Sequence, residues 1–340
     1  MNRSFLSRLV CTAALVVATF ASASAQAGPF SGMFVFGDSL SDTGNLNIAS
    51  GGLYPDHTQG PYFGGRYSNG PLWVETLATD LGLPNAASPY LAGTGGTNFA
   101  FAGARPGSVA PPGSPPGVLA QIGGIWSGVG DPNALYVVVG GGNDMRDARS
   151  TFQTASAADV AGREAAAQAA MGNLVSSLGF LASHGARHVL VSNLPDLGGT
   201  PEAGLLGLRY ASTDVTNRFN ALMPSLLAAG TGFGLDMSFL DMAGLLKKVI
   251  ADATTNGGGL YGITDVTAPC AGFLYSTGDA CSVSLFSDVL HPSAAAHRLI
   301  GEAAFAAVVP EPQTYALLAL GLVAVVLRSR RRAFSVAAAA

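Results

Sequence analysis

Short apolar runs suited to buried strands alternate along this chain with longer stretches rich in Ala and Leu. That alternation admits few folds, because it predicts a parallel sheet with helices on both faces. Strands are expected over residues 32–36, 135–139 and 188–192, and helices over 72–81, 155–183, 213–228, 242–251 and 293–308. The Pro- and Gly-rich stretch 105–117 reads as an irregular loop. No internal repeat or linker divides the central region, so residues 28–308 are expected to form one domain. A domain of that size can bury roughly three-quarters of its surface.

Both ends carry targeting patterns. Residues 1–27 place Arg3 and Arg8 before an apolar stretch from Leu9 to Phe20 and end in Ala25-Gln26-Ala27, the three parts of a secretory signal peptide. The mature chain is expected to start near Gly28. In residues 309–340, Val309-Pro310-Glu311-Pro312 precedes an apolar run from Thr314 to Leu327 and then Arg328, Arg330, Arg331 and Arg332. Arginines after such a run favour the cytoplasmic side. The run is shorter than the roughly 20 residues that span a bilayer comfortably, so a permanent transmembrane helix is the weaker reading.

Between the two ends stand eleven Lys or Arg and twenty Asp or Glu, a net charge of −9. That balance argues against nucleic acid or an anionic membrane as a partner, since both reward basic patches. Cys11 leaves with the signal peptide, and Cys270 and Cys281 enclose a Gly-bearing stretch. In an exported protein a local disulfide is the simplest use of the pair, with two reduced buried thiols as the alternative. The sequence offers neither a Cys-x-x-Cys nor a His-rich cluster, and no metal site or cofactor is expected.

The first predicted strand ends in Phe34-Val35-Phe36-Gly37-Asp38-Ser39, placing a hydroxyl where strand gives way to helix, the edge at which α/β sheets carry their chemistry. A nucleophilic serine needs a base, the base needs an orienting acid, and the oxyanion needs preorganised donors. Separated stretches supply them. Ser287-Asp288-Val289-Leu290-His291-Pro292 offers Asp288 and His291 on one turn. Asn98-Phe99-Ala100-Phe101-Ala102-Gly103 offers the Gly103 N–H, and Gly140-Gly141-Gly142-Asn143-Asp144 offers the Asn143 amide. Taken singly, Ser39 is a helix-start serine, Asp288 a capping carboxylate, and Gly103 and Asn143 turn residues; their order along the chain is what favours catalysis. Asp42, Asn45 and Asp144 read as loop-fixing and capping residues, and His184, His188 and His297 as structural. Gly257 to Gly262 satisfies Gly-x-Gly-x-x-Gly but comes after a helical pattern, which argues against dinucleotide binding. No Gly-x-Ser-x-Gly elbow is present, which separates the chain from the α/β-hydrolase plan.

This order resembles that of the SGNH or GDSL-type serine hydrolases. The long Gly-Asp-Ser-Leu-Ser-Asp-Thr-Gly-Asn version of the first block points to their secreted lipase, esterase and phospholipase-like branch. Asn193-Leu194-Pro195-Asp196-Leu197-Gly198 resembles the family's Asn-Leu-Pro-Pro-Leu-Gly segment, and Leu260-Tyr261-Gly262 its late Tyr-Gly-Phe stretch, so the likeness runs from Met33 to Ala306. Asp196 replaces the second Pro, and Ser287 stands where an aromatic residue often precedes the Asp. The resemblance implies a three-layer α/β/α sandwich around a parallel sheet, flavodoxin-like, with Ser39 as nucleophile, His291 as base and Asp288 as its partner. It further implies an oxyanion hole of the Ser39 N–H, Gly103 and Asn143. The tail resembles a PEP-CTERM sorting signal, which implies export and sorting machinery as partners and a surface or extracellular destination. The expected substrate is a lipid or short-chain ester, with an acetylated glycan as the alternative and a non-catalytic binding module on the same fold as the rival.

Overall fold

The computed structural model describes residues 29–56, 62–107, 113–270, 281–309 and 320–321. The expected signal peptide lies outside the described residues, as does all of the apolar run 314–327 except Leu320 and Gly321.

Four parallel strands form the central sheet: β1 (Met33–Phe36), β2 (Leu135–Val138), β3 (His188–Ser192) and β4 (Asp236–Leu240), in that spatial order. Val35 pairs with Val137, Val137 with Leu190, and Leu190 with Ser238. A further extended segment lies along the free edge of β1, where Phe99 N–H donates to Val35 O at 2.7 Å and Phe101 N–H to Gly37 O at 3.1 Å. The segment that bears Gly103 is thereby carried to the same end of the sheet as Ser39. β4 is not among the strands expected from the sequence, because its Asp236 and Phe239 face solvent and its apolar content is correspondingly low.

Strand alternation sorts side chains into two cores, since successive residues point to opposite faces. Met33, Val35, Leu135, Val137 and Leu190 face one layer, built from α2 (Trp73–Asp80), α7 (Met242–Asn256) and α8 (Ala294–Val308). Phe36, Tyr136, Val138, Val189 and Val191 face the other, built from α3 (Gly142–Thr151), α4 (Ala157–Ser183), α5 (Arg209–Ala221) and α6 (Met223–Gly232). A short helix, α1 (Asn45–Ala49), comes after β1 and before these layers begin. α4 is long and apolar enough to cross a membrane by length and composition. Its stripe Ala167, Ala170, Met171, Leu174, Leu178 and Leu181 is buried in the second core.

Two helical expectations change. The helix predicted over 213–228 is two, α5 and α6, meeting at Leu222. Pro224 is the physical reason: it has no N–H to donate and its ring crowds the preceding turn, so it is tolerated in a first turn and not inside a helix. α3 is absent from the expected helices because it is mostly polar, GNDMRDARST, and it begins after Gly141 at φ +108.

Beyond α7, β5 (Asp265–Pro269) and β6 (Ser284–Phe286) form a separate parallel pair, and Cys270 and Cys281 are disulfide-bonded at its end. β6 leads into the turn 287–293, closed by Ser287 N–H to His291 O at 2.8 Å and Ser293 N–H to Leu285 O at 2.9 Å. The side chain of Ser293 then accepts from Ala296 N–H and caps α8.

Candidate active site

Three of the stretches come together at the same end of the central sheet. Ser39 comes after β1, Asn143 opens α3 just after β2, and Gly103 comes after the edge segment. The turn bearing Asp288 and His291 closes over them. His291 Nε2 lies 2.9 Å from Ser39 Oγ, and His291 Nδ1 lies 2.7 Å from Asp288 Oδ2. The structure thus brings Ser39, His291 and Asp288 into one hydrogen-bonded chain across 252 residues of sequence.

Asp288 is held by more than His291. Asp288 Oδ1 accepts the N–H groups of Leu290 at 2.8 Å and His291 at 2.6 Å, while Oδ2 also accepts the Tyr62 hydroxyl at 2.9 Å. Burial alone would raise this carboxyl. The charge and hydrogen bonds of His291 and the backbone donors outweigh burial and hold it at about 2, so Asp288 is ionised. The ring of Tyr67 packs on His291 with centroids 5.0 Å apart.

The Ser39 turn is fixed from both sides. Gln121 bonds both backbone polar groups of Gly37, accepting its N–H at 2.9 Å and donating to its C=O at 2.9 Å. A Cβ at Gly37 would come within 2.8 Å of Val139 Cγ2, so glycine is needed where β1 passes β2. Asp42 caps α1, accepting N–H groups from Gly44, Asn45 and Leu46, and also accepts Ala102 N–H at 2.8 Å. One carboxylate therefore ties the Ser39 turn to the segment ending in Gly103. Asn45 and Asn98 reinforce the junction: Asn45 Nδ2 donates to Asn98 O and Ala100 O, and Asn98 Nδ2 to Ser41 O.

Asn143 Nδ2 donates to Ala104 O at 2.9 Å, which leaves its second N–H for a ligand. Gly103 holds φ +82 immediately before Ala104. Among the described residues, the N–H groups of Ser39 and Gly103 make no hydrogen bond. Asn143, Ser39 and His291 all line a cavity of about 460 Å³, whereas Gly103 is not among its lining residues. The cavity wall is largely apolar, from Leu40, Leu194, Leu246, Ile250, Leu285 and Phe286. Two cations reach it. Lys247 stands on α7, and Arg146 is paired with Glu202 at 2.5 Å, which also binds the buried Arg149.

Two carboxyls near the site are raised. Burial pushes Asp38 up to about 6 against the Leu40 N–H, His291 and Arg146. Burial pushes Asp144 up to about 7, with one carboxyl oxygen lacking a hydrogen-bond partner. His297 lies outside the chain of proton contacts: its Nδ1 accepts Trp73 N–H at 3.3 Å, joining α2 to α8. His184 stacks on Phe180, and His188 pairs with Asp236 at the sheet edge. The glycines of 257–262 form the turn that ends α7, where Asp252 accepts the N–H groups of Leu260 and Tyr261. Among the described residues, no cluster of His, Cys, Asp and Glu is arranged to hold a metal ion. Sequence reasoning misses Gln121, Tyr62 and Arg146, each a single polar residue in a stretch without a recognisable motif.

The GDSL-like lipase/acylhydrolase family profile matches residues 33–304, and the PEP-CTERM protein-sorting motif matches residues 308–332. The chain is 30% identical over 317 residues to an uncharacterized protein from the trpE-trpG intergenic region of Pseudomonas putida, covering 83% of this chain and 49% of that protein. It is 30% identical over 346 residues to the esterase EstA of Pseudomonas aeruginosa, covering 89% and 50%. The chain spans about half the length of these curated relatives. Among solved structures, an extracellular lipase from Streptomyces rimosus matches with 19% identity and a TM-score of 0.41, covering 81% of this chain and 98% of that one.

Proposed function

The chain belongs to the GDSL-like lipase/acylhydrolase family, and from that premise we propose that it is an exported serine hydrolase of carboxylic esters, working through an acyl-enzyme on Ser39. The observation that carries this reading is the contact of His291 Nε2 with Ser39 Oγ at 2.9 Å while Nδ1 faces ionised Asp288. A neutral imidazole with its proton on Nδ1 leaves Nε2 free to accept.

In the proposed reaction His291 Nε2 takes the Ser39 proton as Oγ attacks the ester carbonyl carbon. Asp288 balances the imidazolium charge without taking a proton. Oxyanion charge falls to the N–H groups of Ser39 and Gly103 and to the free N–H of Asn143. As the tetrahedral intermediate collapses, the carbon–oxygen bond to the alcohol breaks, and His291 gives its proton to the leaving alcohol. Water then attacks the acyl-Ser39 ester, losing its proton to His291, and the acid departs as Oγ regains a proton.

The apolar cavity beside Ser39 suits the hydrocarbon part of a lipid or short-chain ester. Removal of acetyl groups from an extracellular glycan is the second substrate class, since the sorting motif at 308–332 supports a surface or extracellular setting. In this reading export and sorting machinery are the protein's partners, and the terminal segments direct it there. A fluorophosphonate probe tests the chemistry, because only an activated serine reacts with it. Labelling of the native protein that disappears in Ser39→Ala supports the reading, and no labelling of the folded native protein overturns it. Esters differing in acyl length, set beside acetylated sugars, then separate the two substrate classes.

A further inference from the structure

We propose that Tyr62 is a positioning residue of this site, its phenol O–H fixing the Asp288 carboxylate and drawing part of its charge away from His291. The inference rests on the hydrolase reading above.

Asp288 Oδ2 takes two donors, His291 Nδ1 at 2.7 Å and the Tyr62 hydroxyl at 2.9 Å. With Oδ1 already bound by two backbone N–H groups, Tyr62 supplies the one side-chain donor besides the histidine among the described residues. Burial, together with the Asp288 charge, pushes the phenol upward, so it stays protonated and donates. A donor shared in this way lowers the charge density that Oδ2 presents to the imidazole, which weakens the imidazolium that Asp288 would otherwise favour.

Tyr62 is held in place for this. The residues after it are fastened to the chain just beyond His291: Ser68 Oγ donates to Pro292 O at 2.9 Å, and Asn69 Oδ1 accepts Ala294 N–H at 2.9 Å. Arg66 pairs with Glu75 on α2 at 2.7 Å. Tyr67, from the same stretch, packs on the His291 ring and lies 5.4 Å from the Tyr62 ring centroid. Neither tyrosine lines the cavity, so Tyr62 acts through Asp288 and not on the substrate.

The titratable and charged groups around Tyr62, Asp288 and His291 are Tyr67 and Asp56 beside Tyr62, Asp42 beside Tyr67, Asp38 before Ser39, and His297 on α8. Asp38 and His297 are common to the wild type and any Tyr62 variant, so a comparison between the two isolates the phenol.

The test uses the mature protein, a soluble aryl ester, and the rate of fluorophosphonate labelling at Ser39, each measured against pH. Tyr62→Phe keeps the ring and loses the donor. It is expected to lower kcat about threefold to tenfold, because a carboxylate that has lost one of its fixing bonds holds the imidazole less well aligned with Ser39 Oγ, and that misalignment outweighs the firmer hold on the imidazolium. KM should stay within about twofold, because no cavity contact is lost. Without the phenol the carboxylate holds the imidazolium more firmly, so the acid limb of kcat/KM and of labelling moves to higher pH by roughly half a unit. Tyr62→Leu should show the same displacement with a larger fall in kcat from the lost ring packing. If the acid limb of Tyr62→Phe coincides with that of the wild type, the residue merely packs and the inference is overturned. If the wild type itself is not labelled, the hydrolase reading fails and takes this inference with it.

Discussion

Gln121 grips Gly37 at both ends, its Oε1 accepting the glycine N–H and its Nε2 donating to the glycine C=O, each at 2.9 Å. The two residues lie buried, 84 apart in sequence, and Gly37 stands two residues ahead of Ser39. Gln121→Leu keeps the volume but leaves a buried N–H and C=O unpaired, each costing about 1–3 kcal/mol. We expect a fall in unfolding free energy of roughly 2–5 kcal/mol and, if Ser39 is the nucleophile as proposed, a lower kcat from the loosened Ser39 turn. Urea unfolding measured beside turnover checks both, and an unchanged denaturation midpoint would show that water replaces the side chain.

The members of the proposed triad act as a unit, so Ser39→Ala and His291→Ala should each lower kcat by on the order of 10⁴ or more. Ser39→Ala removes only a hydroxyl from a partly exposed position, and its denaturation midpoint should match the wild type. Near-wild-type hydrolysis by purified, folded Ser39→Ala would end the assignment.

How much the sequence discloses depends on how local each signal is. β1, β2 and β3 are continuous apolar runs because both of their faces are buried, and such runs stand out without tertiary information. β4 is an edge strand with solvent on part of it, and its DMSFL pattern does not declare itself. Motif order points to Ser39, Asp288, His291 and Asn143; the structure sets Ser39, His291 and Asn143 on one cavity wall, with Asp288 behind His291. Asn143 is brought to Ala104, the residue after Gly103, but Gly103 itself is not on the cavity wall. Gln121 and Tyr62 carry no comparable signal. Each acts across more than 80 residues through its side-chain hydrogen bonds, which only the folded chain reveals.

His297 sets a pH dependence of stability that is separate from catalysis. Burial, helped by the His291 charge, drives its ring down to about 3, from an ordinary value of 6.5. Below pH 6.5 the unfolded chain therefore binds a proton that the folded chain refuses. Stability from this group is present above 6.5 and is lost as pH falls toward 3. At pH 4.5 the loss should be on the order of 2–3 kcal/mol. Asp38 and Asp144, raised by burial, have the opposite slope between about 4 and 7, so the effect is read as a difference between proteins. His297→Gln retains an acceptor for Trp73 N–H and does not titrate. Its stability relative to wild type should improve between pH 8 and pH 4.5, as measured by urea unfolding at both. A constant difference would mean that the folded protein accepts the proton.

Asn143 separates a working oxyanion hole from a turn. One of its amide N–H groups is committed to Ala104 O, so the side chain is already oriented when an ester arrives. In the proposed reaction the other would gain strength as charge develops on the carbonyl oxygen, and its contribution would therefore belong to the transition state more than to substrate binding. Asn143→Ala should reduce kcat by roughly 10² to 10³ with KM changing far less. Asn143→Asp is the sharper variant, since it keeps the shape, removes both donors and sets a carboxylate against the oxyanion; its kcat should fall at least as far. Asp144→Asn, one residue along, is the control. Removing a buried carboxyl should change stability across the range where that group titrates, up to about pH 7, and leave the kcat ratio between substrates intact. If Asn143→Ala raises KM alone, or leaves both parameters unchanged, Asn143 serves the turn through Ala104 and the oxyanion is stabilised by backbone donors.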